Sequence, residues 1–370
     1  MIRPVRRPSA SLPSANYQRN QRSWLRALLV LPVLLGTGLP AAQAQIGGQT
    51  AFSSLRLPQG AFLASIGGMS VSSRTADPNM LYGNPALLNA DMDGRLALSY
   101  GGYLGGIKQS TAAYVRNSEK LGRWGFGLSY LSYGDFDMYD PAGNPMGTFS
   151  VNDYHLSLSN AHTVGPFTLG ATARLAVAGI AGNHSLATLV DLGSVFKHPE
   201  KDFTVGLAVK NLGYQVQPFE GSNREPLPLD VQLGASIKPE HMPVRFTVTA
   251  HHLQQFDIVY LDTLQSRTQS LDGTTKVPKK SLGDKIARHF TVGGELLLGK
   301  GFNIRVSYNH LRRRELRLDN TSGGAGLAFG GMLRLGAYQF EYTRAMYHVS
   351  GGSNYITLTR NIDELFGKKQ

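Results

Sequence analysis

The chain of 370 residues has no cysteine. That excludes disulfides and thiolate metal sites. Beyond residue 44 it also lacks any continuously apolar stretch of about 18 residues, which excludes a membrane-crossing helix there. Common enzyme signatures are missing: no G-x-S-x-G elbow, no G-x-G-x-x-G turn and no P-loop. Histidines with metal-ligand spacing are missing too. His251-His252 is the only adjacent pair, and neighbours on a strand point to opposite faces, so the pair is not expected to share an ion. We therefore assign no catalytic, cofactor-binding or metal residue and read the chain as a non-enzyme. Strong charge is lacking as well. The formal +12 includes Arg3, Arg6, Arg7, Arg19, Arg22 and Arg26. Without them, 31 Lys+Arg face 25 Asp+Glu. This is too even for a nucleic-acid footprint.

What is present is alternation. Phe302, Ile304, Val306 and Tyr308 are separated by Asn303, Arg305 and Ser307. Trp124, Phe126, Leu128 and Tyr130 alternate with Arg123, Gly125, Gly127 and Ser129, and Phe203, Val205, Leu207 and Val209 repeat the pattern. Strands place successive side chains on opposite faces, so each segment has one apolar and one polar face. Many such segments in a secreted chain predict an all-β fold, a transmembrane antiparallel β-barrel of the outer membrane.

Secretion is predicted by the N-terminus. Arg22 and Arg26 precede the apolar run Ala27–Leu39, followed by Ala42-Gln43-Ala44. A basic region, a short apolar region and an A-x-A site predict a signal peptide over 1–44, cleaved after Ala44.

About 14 strands are expected, near 95–103, 108–116, 122–132, 151–161, 166–178, 184–196, 202–211, 229–238, 243–253, 287–298, 301–312, 324–333, 336–347 and 353–360. The segments at 108–116 and 184–196 alternate poorly. Connections after even-numbered strands are short. Those after odd-numbered strands include every long one: 133–150, 212–228, 254–286 and 313–323. Bacterial barrels have short periplasmic turns and long extracellular loops, so both barrel ends are placed in the periplasm. The expected organisation is a plug at 45–94, a barrel at 95–360 and a periplasmic tail at 361–370. The plug candidate is rich in turn residues, and a barrel this wide is otherwise a water-filled pore. Pro85 suits the first turn of a short helix over Ala86-Leu87-Leu88.

Inward polar positions include Arg95, Arg123, Arg174, Lys210, Arg245 and Arg305, with Asp202, Asp230, Glu295 and Glu341, as expected of a hydrated, charge-paired lumen. Few large apolar residues are expected to face inward. Arg312-Arg313-Arg314 with Arg317 forms the densest basic cluster. On an extracellular loop it is either simply solvated or a site for lipopolysaccharide phosphates, which Arg grips as a fork.

Ordered short motifs resemble one family along nearly all of the mature chain. They begin with Gln45-Ile46-Gly47-Gly48 and Thr50-Ala51-Phe52, then Asp77-Pro78-Asn79-Met80 and Asn84-Pro85-Ala86-Leu87-Leu88. They continue with Tyr133-Gly134-Asp135-Phe136, Asn152-Asp153-Tyr154 and Asn223-Arg224-Glu225-Pro226-Leu227-Pro228. Ala250-His251, Leu253-Gln254 and Tyr347-His348 close the series. The pattern resembles the PorQ family of the type IX secretion system, within the FadL- and PorV-like barrels. The resemblance implies a 14-stranded barrel whose plug carries Asn84, Pro85 and Ala86. It implies no enzymatic activity and a scaffold role in a cell-surface attachment complex with PorZ, PorU and PorV, which anchors cargo to lipopolysaccharide. Candidate extracellular partner contacts are Gly134, Asp135, Phe136, Asn223, Arg224, Glu225, Arg312, Arg313 and Arg314. The alternative is a FadL-like outer-membrane channel for hydrophobic small molecules. One departure is the C-terminus, where the last aromatic, Phe366, lies inward of Gly367-Lys368-Lys369-Gln370.

Overall fold

A computed structural model describes residues 50–118, 120–259, 268–269, 275–276, 281–316, 323–348 and 351–364. The expected leader, Gln45–Gly48, Arg317 and Phe366 lie outside the described residues.

Fourteen antiparallel strands close into one barrel. They are β1 (Arg95–Gly102), β2 (Lys108–Ser118), β3 (Gly122–Tyr139), β4 (Pro145–Val164), β5 (Phe167–Ile180), β6 (Asn183–Lys197) and β7 (Phe203–Gln217). Then follow β8 (Asp230–Ile237), β9 (Val244–Ala250), β10 (Phe290–Leu297), β11 (Phe302–Asn309), β12 (Leu327–Leu335), β13 (Tyr338–His348) and β14 (Gly351–Asn361). Closure runs from Arg95↔Asn361 to Gly102↔Asn354. A closed ladder leaves no unpaired edge, which is what a lipid environment requires.

Every long connection lies at one rim. Those at the other rim are short, such as Gly165-Pro166 and Gly336-Ala337. The expected loop 133–150 differs: β3 and β4 both continue beyond the barrel wall, leaving only Asp140–Asn144 as the turn. Likewise β7 continues to Gln217, shortening the next connection to 218–229.

The outer wall is an apolar belt. Leu98, Phe126, Leu128, Leu156, Leu207, Phe246, Ile304, Phe329 and Ile356 are all exposed. Tyr130 packs beside Tyr154 toward one rim and Phe167 beside Phe196 toward the other, with centroids 4.9 and 5.2 Å apart.

Inside lies the segment 50–94. It contains helix α1 (Ala61–Ser65) and four 3₁₀ turns, Ser53–Arg56, Pro78–Tyr82, Pro85–Leu87 and Ala90–Met92. The last three turns share a local cause. Asp77, Asn84 and Asn89 each accept a hydrogen bond from the backbone N–H two residues on. Two of these caps precede proline, whose fixed φ suits the first turn. Phe62, Leu63, Met80, Leu81, Leu87, Leu88 and Met92 form an apolar core within this segment. Wall residues Ala113, Val115, Ala161 and Val195 complete it.

The large apolar side chains of this core come from the plug, and the wall contributes small ones. This explains β2 and β6, which alternate poorly because parts of their inner faces pack on an apolar plug rather than on water. On β2, Ala113 and Val115 are buried inward, while Ser110 and Ala112 face out.

Candidate functional site

The plug is keyed into the wall by glycines. Gly170 pairs directly with Gly193 across β5 and β6, and Gly206 with Gly234 across β7 and β8. A Cβ on Gly193 would lie 1.9 Å from Asn84 Oδ1, and one on Gly170 2.6 Å from Ala86 N. A Cβ on Gly206 would lie 1.9 Å from Val71 O. Asn84, Pro85 and Ala86 are all buried in this slot. The Asn84 amide donates to Val71 O at 2.9 Å, while its Oδ1 accepts from Ala86 N at 2.9 Å.

Polar contacts hold the other side. Ala61 N donates to Thr357 Oγ1 at 2.9 Å, and Thr343 Oγ1 donates to Ala61 O at 2.8 Å. Arg305 donates to Glu295 at 2.8 Å and to Glu341 at 2.6 Å, and its guanidinium lies 4.4 Å over the Phe62 ring. Arg174 bonds Asp191 at 2.6 Å, Asn211 at 3.0 Å and Ser157 at 3.1 Å. Arg245 reaches Glu295 and Asp202. Arg95 donates to Ala76 O, and Arg123 to Thr163 Oγ1.

A cavity of about 70 Å³ lies between Leu55–Gln59 of the plug and a wall of His155, Arg174, Lys210 and Asp230. On the membrane side, an apolar recess of about 430 Å³ is lined by Leu156, Leu158, Leu175, Val190, Leu212 and Tyr214. It sits at a break in the β6–β7 register between Val190 and Leu192. Arg174 borders both spaces.

The rim motifs make local contacts at their bases, while Asp135, Phe136, Asn223, Arg224 and Glu225 remain exposed. Tyr133 donates to Asp153 at 3.1 Å and Tyr130 to Asn152 at 2.7 Å, so two of the sequence motifs meet across β3 and β4. In 218–229, Leu227 is buried with Phe52 and Leu55, and Pro226 O accepts from Ala51 N. Glu225 N donates to Gln215, and Arg224 to Val216 O. Gly134, Asp135 and Phe136 lie on the β3 extension, not in a loop.

Arg312, Arg313 and Arg314 lie on helix α3 (His310–Glu315), where all three are engaged. Helix α2 is Leu282–Ala287. Arg312 sits 4.4 Å over Tyr347, Arg313 donates to Gly323 O, and Arg314 pairs with Asp284 at 2.7 Å. His251-His252 departs from the expected opposed geometry. The pair follows the end of β9, His252 takes φ 55°, and the two Nδ1 atoms approach to 2.6 Å. Among the described residues no His, Asp and Glu group suits a metal ion.

No family model and no curated protein matches the sequence. Solved barrels do. The chain is similar to the Ralstonia pickettii toluene transporter TbuX at 13% identity and TM-score 0.48, over 82% of this chain and 97% of that one. It is similar to a deltaS2S3 mutant of the monoaromatic hydrocarbon channel TodX at 12% identity and TM-score 0.49, over 82% and 99%. It is also similar to the Acinetobacter baumannii outer membrane protein Omp33 at 8% identity and TM-score 0.34, over 72% and 95%.

The closed 14-strand ladder with an apolar outer belt and a charged interior defines the class: an integral outer-membrane β-barrel.

Proposed function

We propose that this barrel is a scaffold of the type IX secretion attachment complex, the role implied by its PorQ-family motifs. Its partners in that role are PorZ, PorU- and PorV-like proteins and lipopolysaccharide. One observation supports this reading over transport: the lumen is filled. The cavity beside Arg174, about 70 Å³ and lined by Leu55, Leu57, Leu63 and Tyr82 as well as Lys210 and Asp230, is smaller than the ~150 Å³ void that takes up benzene in another protein. Structured rim elements, by contrast, extend from one end of the barrel.

A second reading is a FadL-like channel for hydrophobic small molecules. It is supported by the apolar recess at the β6–β7 register break, where Arg174 lines both the recess and the lumen cavity. TbuX, a toluene transporter, and TodX, a monoaromatic hydrocarbon channel, carry cargo of that class.

Isolation from the native outer membrane in mild detergent separates the two. The scaffold reading expects a sortase-like protease and a second barrel to co-isolate. A solitary barrel carrying a hydrophobic ligand overturns it in favour of the channel.

A further inference from the structure

The β3–β4 extension is the most conspicuous rim element that the barrel itself does not need. β2 pairs with β3 only as far as Lys108↔Ser132, and β5 pairs with β4 only as far as Ile180↔Val151. Above those positions the two strands pair with each other alone, from Asp135↔Ser150 to Tyr139↔Pro145. The neighbouring hairpin β5–β6 closes with only Ala181-Gly182, so closure does not require such an arm.

The arm pairs exposed apolar side chains with features that usually blunt an edge, the bulges at 132–134 and 138–139 and Pro145. Edge strands are usually shortened, covered or marked with lysine. Here both edges are open among the described residues, and Phe136, Tyr139 and Met146 are exposed. Phe136 stacks on Phe149 at 5.6 Å, stiffening one face. Asp135 and Asp137 project from the other face, both exposed. Neither has an ion-pair partner among the described residues. Asp140 is used internally, accepting from Ala142 N and Asn144 N in the turn. From Gly134 to Phe149 there is no Lys, Arg or His.

We infer that this arm is a strand-addition site for an extended, basic segment of a partner protein. Main-chain hydrogen bonds to an open edge supply affinity, and alternate side chains supply register. Charge selects the occupant. A second copy of the arm brings the same carboxylates, and lipopolysaccharide brings phosphates, so both are repelled. A segment with Lys or Arg opposite Asp135 and Asp137 is attracted. This inference rests on the scaffold reading and names the partner chemistry for it.

The test uses the full-length protein in its native membrane. A photo-crosslinking residue replaces Asp137, and a companion variant replaces Gly134–Phe149 by Ala-Gly. D135N/D137N and D135K/D137K are compared for co-isolation of the same partner. We expect a protein adduct at position 137 whose attached peptide is basic. Co-isolation should fall at least tenfold in D135K/D137K and in the shortened variant, with heat-modifiable barrel migration retained. Arm amides at 134–139 or 145–150 should gain exchange protection in the complex. Undiminished co-isolation without the arm overturns this inference while the scaffold reading stands. An adduct to a second copy or to lipopolysaccharide also overturns it. A wild-type barrel that co-isolates no protein overturns both.

Discussion

Asp77 is the most exacting single residue in the plug. Its Oδ1 accepts from Asn79 N and Nδ2, both at 3.0 Å, while its buried Oδ2 has no partner. Burial first, and then the charge of Glu341, push its carboxyl up from 3.8 to about 7. Folding therefore favours the neutral acid. That stability is complete below pH 3.8 and is lost as pH rises through about 7. Asp77→Asn should raise the thermal unfolding midpoint in detergent at pH 8 and much less at pH 5. An equal shift at both values would show that the charge of Asp77 is not the cause. Gly193 makes a second test. Gly193→Ala places a Cβ 1.9 Å from Asn84 Oδ1, whereas Gly294→Ala meets nothing within 4 Å. Overpacking costs about 1–3 kcal/mol, so the first should lower the denaturation midpoint and the second leave it unchanged. The helical turn at Pro85 was legible because proline's first-turn preference is local, whereas Asn84-Pro85-Ala86 as a plug motif came from resemblance and the Asn84 cap was not read. The glycine receptors of the motif were not legible, because Gly170 and Gly193 meet only through strand register.

Among the elements, the strands were read most accurately, since alternation records which face meets lipid. β2 and β6 showed little of it because their inner faces pack partly on plug side chains such as Leu81 and Leu88 rather than on water. The short helices were missed for a different reason. Six residues such as Leu282–Ala287 or His310–Glu315 are too few for propensity to decide, and tertiary contacts decide instead. The contact here is Asp284. It accepts from Arg288 at 3.0 Å and bonds His310 at 3.3 Å, and it forms an ion pair with Arg314 at 2.7 Å, joining α2 to α3. Burial alone would raise its carboxyl, but these partners, led by Arg288, hold it below 3.8. The clasp is therefore intact at neutral pH, and its contribution disappears as pH falls below 3.8 through the folded value. Asp284→Asn should make α2 and α3 protease-sensitive at pH 7, while the barrel keeps its heat-modifiable migration. Unchanged cleavage would mean that packing alone holds the two helices.

For the whole molecule, the question is what keeps the barrel shut. A closed wall of fourteen strands resists opening on its own, but the plug stays only if it is tied to that wall. The ties are unequal. On the β5–β8 side, Gly170 and Gly206 admit plug backbone at Ala86 and Val71, and Gly193 admits the Asn84 side chain. On the β10–β13 side, a buried ion cluster holds Phe62 under Arg305. Removing Arg305 leaves buried Glu341 without its cation, while Glu295 keeps Arg245, and a broken buried pair costs about 3–5 kcal/mol. If that cluster is the releasable tie, Arg305→Leu should lower the unfolding midpoint and produce brief conductance steps in planar bilayers that the wild type lacks. Glu341→Gln should do the same to a smaller degree, since Glu295 still pairs with Arg305. Both effects should vanish when a second change, such as an engineered disulfide in this cysteine-free chain, fixes the plug to β13. A wild-type barrel that already conducts steadily would contradict the filled lumen. A silent Arg305→Leu variant with an ordinary midpoint would shift the burden of closure to the glycine slot, where Gly193→Ala tests it directly.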